Sequence, residues 1–181
     1  MYTTSRLVVA GVFALEHCPH EKLVCVSRSA DETRALGAGL AAHLVPGDLV
    51  CLYGELGAGK TTFIQGLAAG LGVSDPVTSP SFTLIHEHPG RLLFYHLDLY
   101  RLDPGDLTEA GIEEVLDADA VVAVEWAERL PSRLRRGAVQ VQIAFGDETP
   151  DSRLLYFRSF GDRSARVVAG LAGETDAHSR S

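Results

Sequence analysis

The chain has 181 residues, 46% of them hydrophobic and 22% charged, a length that buries one sizeable core and is short for two. No apolar run approaches the roughly 20 residues of a membrane-spanning helix, and a formal net charge of −8 argues against a surface whose main task is to neutralise nucleic-acid phosphates. Cys18, Cys25 and Cys51 match neither a CxxC pair nor a disulfide framework, so they read as reduced thiols of a cytoplasmic protein.

In chain order, residues 1–21 read as an N-terminal extension. Leu7 to Leu15 is apolar, but its basic flank is a single Arg6 and no clean small-residue cleavage pattern follows, which disfavours a signal peptide. One domain is expected over 22–168, with 169–181 a loose polar tail because GETDAHSRS lacks an apolar period. Residues 23–27 (LVCVS) read as a strand, after which Ser29 and Glu32 form a capping box and Leu36, Leu40 and Leu44 share a helix face. Pro46-Gly47-Asp48 stops that helix, and LVCLY (49–53) is a buried strand entering a glycine-rich turn.

Beyond the turn, Phe63, Ile64, Leu67, Ala68 and Leu71 predict a second helix, ending at Gly72. Residues 91–101 and 121–126 read as central strands. A helix over 106–116 lies between them, its outer face acidic through Glu109, Glu113 and Glu114. VQVQIAF (139–145) and RLLYFRSF (153–160) predict an antiparallel pair with one solvated face. The expected fold is α/β and P-loop NTPase-like: a mostly parallel central sheet flanked by helices, with an antiparallel C-terminal edge.

The strongest signal is GELGAGKT (54–61), a complete G-x-x-x-x-G-K-[ST] between a predicted strand and a predicted helix. Glycines let such a loop turn its backbone N–H groups around an anion, and the helix adds unpaired N–H groups and its positive dipole end. Lys60 supplies a charge to the β and γ phosphates of a nucleotide, and the Thr61 hydroxyl is placed to ligate Mg²⁺. A second metal anchor belongs at the C-terminal end of a neighbouring parallel strand. Glu125 ends VVAVE and fits that place. Asp98 either supplies a further acid or bonds a neighbouring loop. Thr78-Ser79-Pro80-Ser81-Phe82-Thr83 is either a switch segment ordering around a γ-phosphate or a plain hydroxyl-rich connection.

GELGAGKTT (54–62), TSPSFTL (78–84), HLDLYRL (96–102) and VEWAE (124–128), in this order and spacing, resemble the bacterial TsaE family over about residues 23–160. The resemblance implies a small Mg-dependent P-loop ATPase, with ATP and Mg²⁺ as cofactors, that supports the threonylcarbamoyladenosine modification of tRNA. It also implies a TsaB–TsaD heterodimer as partner and tRNA reached through that complex. Carried over by residue, Gly54 and Gly57 to Thr62 (Gly57, Ala58, Gly59, Lys60, Thr61, Thr62) wrap the phosphates. Thr61 and Glu125 belong to the metal site, Lys60, Glu125 and Asp98 to the catalytic set, and Trp126 to a motif needed for activity. The nucleotide base is expected near Val26 to Arg28, through contacts that are largely backbone.

His86, His88 and His96 have no cysteine beside them and two lie in an expected loop, so a zinc site is not indicated. Arg129, Arg133, Arg135 and Arg136 form a basic cluster that is either a solvated surface or a contact for tRNA or an acidic partner. Two rivals share the phosphate cradle: a small-molecule kinase, in which a metabolite rather than water receives the γ-phosphate, and a non-hydrolysing nucleotide-dependent binding module. Against the kinase stand the absence of an arginine-rich lid segment and the little room left for an acceptor domain.

Overall fold

Strands covered on both faces are apolar throughout rather than alternating, and Val121–Glu125 is buried at every position while Leu49–Tyr53 is buried from Val50 onward. In the computed structural model, which describes residues 22–102 and 111–178, these two segments pair in parallel within a seven-stranded sheet. The strands are β1 (Lys22–Ser27), β2 (Leu49–Tyr53), β3 (Ile85–His88), β4 (Phe94–Asp98), β5 (Val121–Glu125), β6 (Val139–Phe145) and β7 (Arg153–Ser159). Their order is β1-β7-β6-β2-β5-β4-β3. The block β6-β2-β5-β4 is parallel, and antiparallel strands border it on both sides.

This is the expected α/β sheet with its antiparallel C-terminal edge, and two strands add to it. β1 joins that edge, pairing with β7 so that Ser27 faces Arg153. β3 is a strand where a loop around His86 and His88 was expected. Its sequence, IHEH, is polar because it is an outermost strand bonded only to β4, so the apolar signal of a central strand is missing.

Helix α1 (Ala30–Ala41) opens on the expected capping box: the Ser29 hydroxyl accepts the Glu32 N–H at 3.1 Å, and the Glu32 carboxylate accepts the Arg28 N–H at 2.7 Å. Helix α2 (Lys60–Gly70) lies against α1 backbone to backbone. A Cβ on Gly37 would stand 2.2 Å from the Phe63 carbonyl oxygen, and one on Gly66 only 1.9 Å from that of Arg34. Leu40, Phe63, Ile64, Leu67 and Leu71 from this pair fill one side of the sheet together with Phe157 and Val50.

Helix α4 (Asp162–His178) completes that layer with Val167, Val168 and Leu171. It corrects the expectation of a loose tail from residue 169, because Leu171 is buried and Glu174 pairs with His43 at 3.0 Å. On the other side Cys51, Tyr53, Leu97, Val122 and Val124 pack under α3 (Ile112–Leu116) and the short 3-10 helices Ala127–Arg129 and Ser132–Arg135. Of the helix expected over 106–116, the described residues hold Ile112–Leu116; Glu109 lies outside them. Among the described residues no helix is long and apolar enough to cross a membrane.

Candidate functional site

Because β2, β4 and β5 are parallel, Tyr53, Asp98 and Glu125 all end at one edge of the sheet, where α/β proteins bind ligands. The glycine-rich loop leaves β2 there. Gly54, Gly57 and Gly59 have φ of 143°, 78° and 107°, a region that a Cβ disfavours. At Gly54 space is limiting as well, since a Cβ would lie 2.4 Å from the Ile143 carbonyl oxygen. Gly59 caps α2 without a side-chain hydrogen bond, so the helix presents its N-terminal N–H groups and dipole toward the loop.

Lys60, the first residue of α2, is buried, and its Nζ donates to the carbonyls of Gly54 (2.7 Å) and Glu55 (3.0 Å). The ammonium also lies 3.9 Å from the centroid of the Trp126 ring, against which the Tyr100 ring packs at 4.9 Å. Burial pulls the Lys60 pKa below its usual value, and the charges of Glu125, Glu128 and Asp98 oppose that shift. Trp126 reaches this place through a left-handed backbone (φ 58°) directly after β5.

Thr61 Oγ1 donates to Glu125 Oε1 at 2.8 Å, joining the start of α2 to the end of β5. His96 Nε2 lies 3.0 Å from the same carboxylate oxygen. Asp98, opposite Glu125 in the register, accepts hydrogen bonds from the Ser79 and Ser81 hydroxyls on Oδ2 and from the Tyr100 N–H (2.9 Å) on Oδ1. The loop-bonding alternative weighed for this acid is thus the contact observed. The segment it holds turns at Leu84 (φ 65°) and leaves Phe82 86% exposed, with the Arg101 guanidinium 4.5 Å from the Phe82 ring centroid.

These groups enclose a cavity of about 320 Å³ lined by Leu56, Gly57, Gly59, Lys60, Thr61, Thr62, Ser79, Ser81, Asp98, Tyr100, Glu125 and Trp126. Of the residues singled out from sequence, Gly57, Gly59, Lys60, Thr61, Thr62, Ser79, Ser81, Asp98, Glu125 and Trp126 meet here. Gly54 and the buried Ala58 belong to the same loop but form its underside. Val26 and Arg28 lie outside the lining: Val26 is on β1, and the Arg28 guanidinium pairs with Glu148 at 3.0 Å. Their link to the loop runs through Arg153, which faces Ser27 in the register and donates from Nε to the Ala58 carbonyl at 3.0 Å.

The sequence reading passed over Arg153 and weighed His96 only as a zinc ligand. For His96 a signal existed: it stands two residues before Asp98 on a strand, hence on the same face. In the basic cluster, Arg129 donates to the Leu102 carbonyl (2.7 Å), Arg133 pairs with Glu113 (2.7 Å) and Arg135 donates to the Tyr53 hydroxyl (3.1 Å). Arg129 and Arg135 are thus engaged within the fold, whereas Arg133 and Arg136 are exposed.

The oxygen donors of Thr61 and Glu125 suit a hard cation. Magnesium keeps waters and takes phosphate oxygens, so a sparse protein contribution fits it. Among the described residues no group of three or more His, Cys, Asp or Glu is gathered as for a metal cage.

Strand, glycine-rich loop with Lys60-Thr61, and helix at the carboxyl edge of a parallel sheet define a P-loop protein. The profile of the family described as "Threonylcarbamoyl adenosine biosynthesis protein TsaE" matches residues 27–154. A relative from Streptomyces coelicolor is 43% identical over 148 residues, covering 77% of this chain and 99% of its own length. One from Bacillus subtilis is 39% identical over 143 residues (78% and 89%), and one from Treponema pallidum 42% over 120 (66% and 89%). All three are named tRNA threonylcarbamoyladenosine biosynthesis protein TsaE. The crystal structure of Bacillus subtilis YdiB superimposes with a TM-score of 0.76 at 33% identity, over 88% of this chain and 99% of that one. The chain belongs to the TsaE family, the proteins of tRNA threonylcarbamoyladenosine biosynthesis.

Proposed function

We propose that the chain binds and hydrolyses Mg-ATP in the cytoplasm, in support of tRNA threonylcarbamoyladenosine modification, and that it acts with a TsaB–TsaD pair through which tRNA is reached. The observation that carries this reading is the hydrogen bond from Thr61 to Glu125 beside Lys60, at the mouth of the glycine-rich loop. It brings the two metal-directed oxygens and the phosphate-directed cation to one cavity.

In this reading, backbone N–H groups of Gly57 to Thr62 surround the phosphates, and Lys60 exchanges the Gly54 and Glu55 carbonyls for phosphate oxygens. Thr61 and Glu125 hold Mg²⁺, which supplies positive charge to the phosphates when bound. Glu125 also orients the attacking water. Asp98 acts by fixing Ser79 and Ser81 at the rim where the γ-phosphate lies, so their segment registers its presence. The base lies toward Val26 to Arg28, on the side of the loop that Arg153 ties to β1.

The test is binding of ATP and ADP with and without Mg²⁺, followed by phosphate release with and without TsaB–TsaD and tRNA. The expected result is Mg-dependent binding by the chain alone and hydrolysis that rises with the partners. Absence of nucleotide binding overturns the reading. Transfer of the γ-phosphate to a metabolite supports a kinase, and binding without turnover in the full complex supports a non-hydrolysing module.

A further inference from the structure

Glu125 sits between two elements: Thr61 approaches it from the cavity, whereas His96 approaches from within the sheet and does not line the cavity. The His96 side chain is fully buried and that of Glu125 is 4% exposed. A carboxylate so buried requires donors, and His96 is the one that belongs to the scaffold rather than to the cradle. Because a carboxylate only accepts, Nε2 carries the shared proton, while Nδ1 is buried without a hydrogen-bond partner.

The ring cannot readily turn away. Phe94, His96 and Asp98 alternate along β4 on one face, and His96 stacks on Phe94 (6.5 Å, 18° between planes), which stacks in turn on His88 (5.9 Å, 22°). From these contacts we infer that His96 is a positioning residue for Glu125: its Nε2–H fixes the carboxylate so that it meets Thr61 and a nucleotide-bound cation in one orientation. This inference rests on the proposed Mg-nucleotide site. It assigns a task to a histidine that composition would place among ordinary core residues. Partners that orient a metal ligand from behind typically change metal affinity about 10–100-fold when removed.

The experiment uses the full chain, with ADP and Mg²⁺ as probes. His96→Phe keeps an aromatic ring in the stack and removes the donor; His96→Gln keeps an N–H near the place of Nε2. Calorimetry of ADP binding across Mg²⁺ concentrations is expected to show His96→Phe needing about 10–100-fold more Mg²⁺, with Mg-free ADP affinity retained and His96→Gln restoring most of the loss. Wild-type Mg²⁺ dependence in folded His96→Phe, or His96→Gln as impaired as His96→Phe, overturns the inference in favour of a packing role. Nitrogen-15 spectra of the histidine rings provide a readout that needs no variant at 96. The His96 Nε2 signal should move in Glu125→Gln and on saturation with Mg-ADP, and a signal indifferent to both overturns the inference even if a variant misfolds. If wild-type ADP binding ignores Mg²⁺ while the Nε2 signal still responds to Glu125→Gln, the metal site fails and only the hydrogen bond survives, which overturns the positioning role.

Discussion

Two loops face each other across the cavity and are shaped by different physics. The loop from Gly54 to Gly59 takes its form from positive-φ glycines, from Ala58 buried beneath it, and from Lys60 folded back onto its carbonyls. The segment from Thr78 to Leu84 turns on main-chain bonds from Thr83 and Leu84 to the Pro80 carbonyl and from Asp98 N–H to the Leu84 carbonyl, and adds a side-chain anchor, with Ser79 and Ser81 on one oxygen of Asp98 and Phe82 left in solvent. The first is shaped by its glycine backbone; the second adds to a main-chain turn the anchoring of two hydroxyls on one carboxylate. In the proposed reading, the cradle that receives phosphate draws on the former, and a segment that responds to phosphate draws on the latter.

The largest effect should come from the cradle. Lys60→Met is expected to weaken nucleotide binding about 10–100-fold, the range for lost hydrogen bonds to a charged group, with the melting temperature without nucleotide shifting by less than about 4 °C. Calorimetry with ATP and a thermal melt check both halves. Unaltered affinity in the folded variant would remove this loop from the site.

Asp98→Ala tests the opposite loop. Three donors lose their acceptor, so stability should fall by about 1–3 kcal/mol, and cleavage by chymotrypsin at Phe82 should accelerate while ADP affinity stays within a few-fold. Proteolysis at the wild-type rate would mean that the segment has another anchor.

Gly57→Ala is smaller. A Cβ there meets nothing within 4 Å, so only the left-handed backbone opposes it, at about 1–2 kcal/mol. Gly54→Ala adds the approach to Ile143 and should lower the melting temperature further; equal losses would show that space at Gly54 is not limiting.

The last expected effect is silent at neutral pH and concerns β2, the strand that launches the cradle. Burial pushes the Cys51 thiol from an ordinary value near 9 up to about 12. The folded chain therefore keeps a proton that the unfolded chain sheds, and this contribution is present below pH 9 and lost as pH rises from 9 toward 12. Cys51→Val should flatten that alkaline fall in a melting-temperature profile, and an unchanged slope would transfer the effect to other groups.

The cradle was legible because its constraints are local: glycines, a lysine and a hydroxyl at fixed spacing between two periodic segments. The central strands were legible because their burial on both faces writes continuous apolar runs. β3 was not, since IHEH at an outer edge carries no such run. The C-terminal turns of α4 were missed because small and polar residues surround Leu171, whose burial depends on α1 being in place. The bond from His96 to Glu125 joins residues 29 apart in sequence, and its partner becomes visible only once β4 and β5 are in register. For Asp98, sequence left two roles open, and its bonds to the Ser79 and Ser81 hydroxyls come into view only in the folded chain.

The contact between α1 and α2 also decides where motion can go. With Gly37 and Gly66 each meeting a main-chain carbonyl of the other helix, the pair has no compressible layer of side chains between its axes. A helix seated on such a surface cannot be driven inward by whatever fills its N-terminal end, so a push from bound phosphate is returned toward the opposite wall. By the same mechanics, a single methyl group added at Gly66, remote from the cavity lining, would pry α2 outward and carry Lys60 and Thr61 with it. Substitutions in this quiet stretch of helix would then register as defects in nucleotide handling, although no residue that touches the nucleotide had changed.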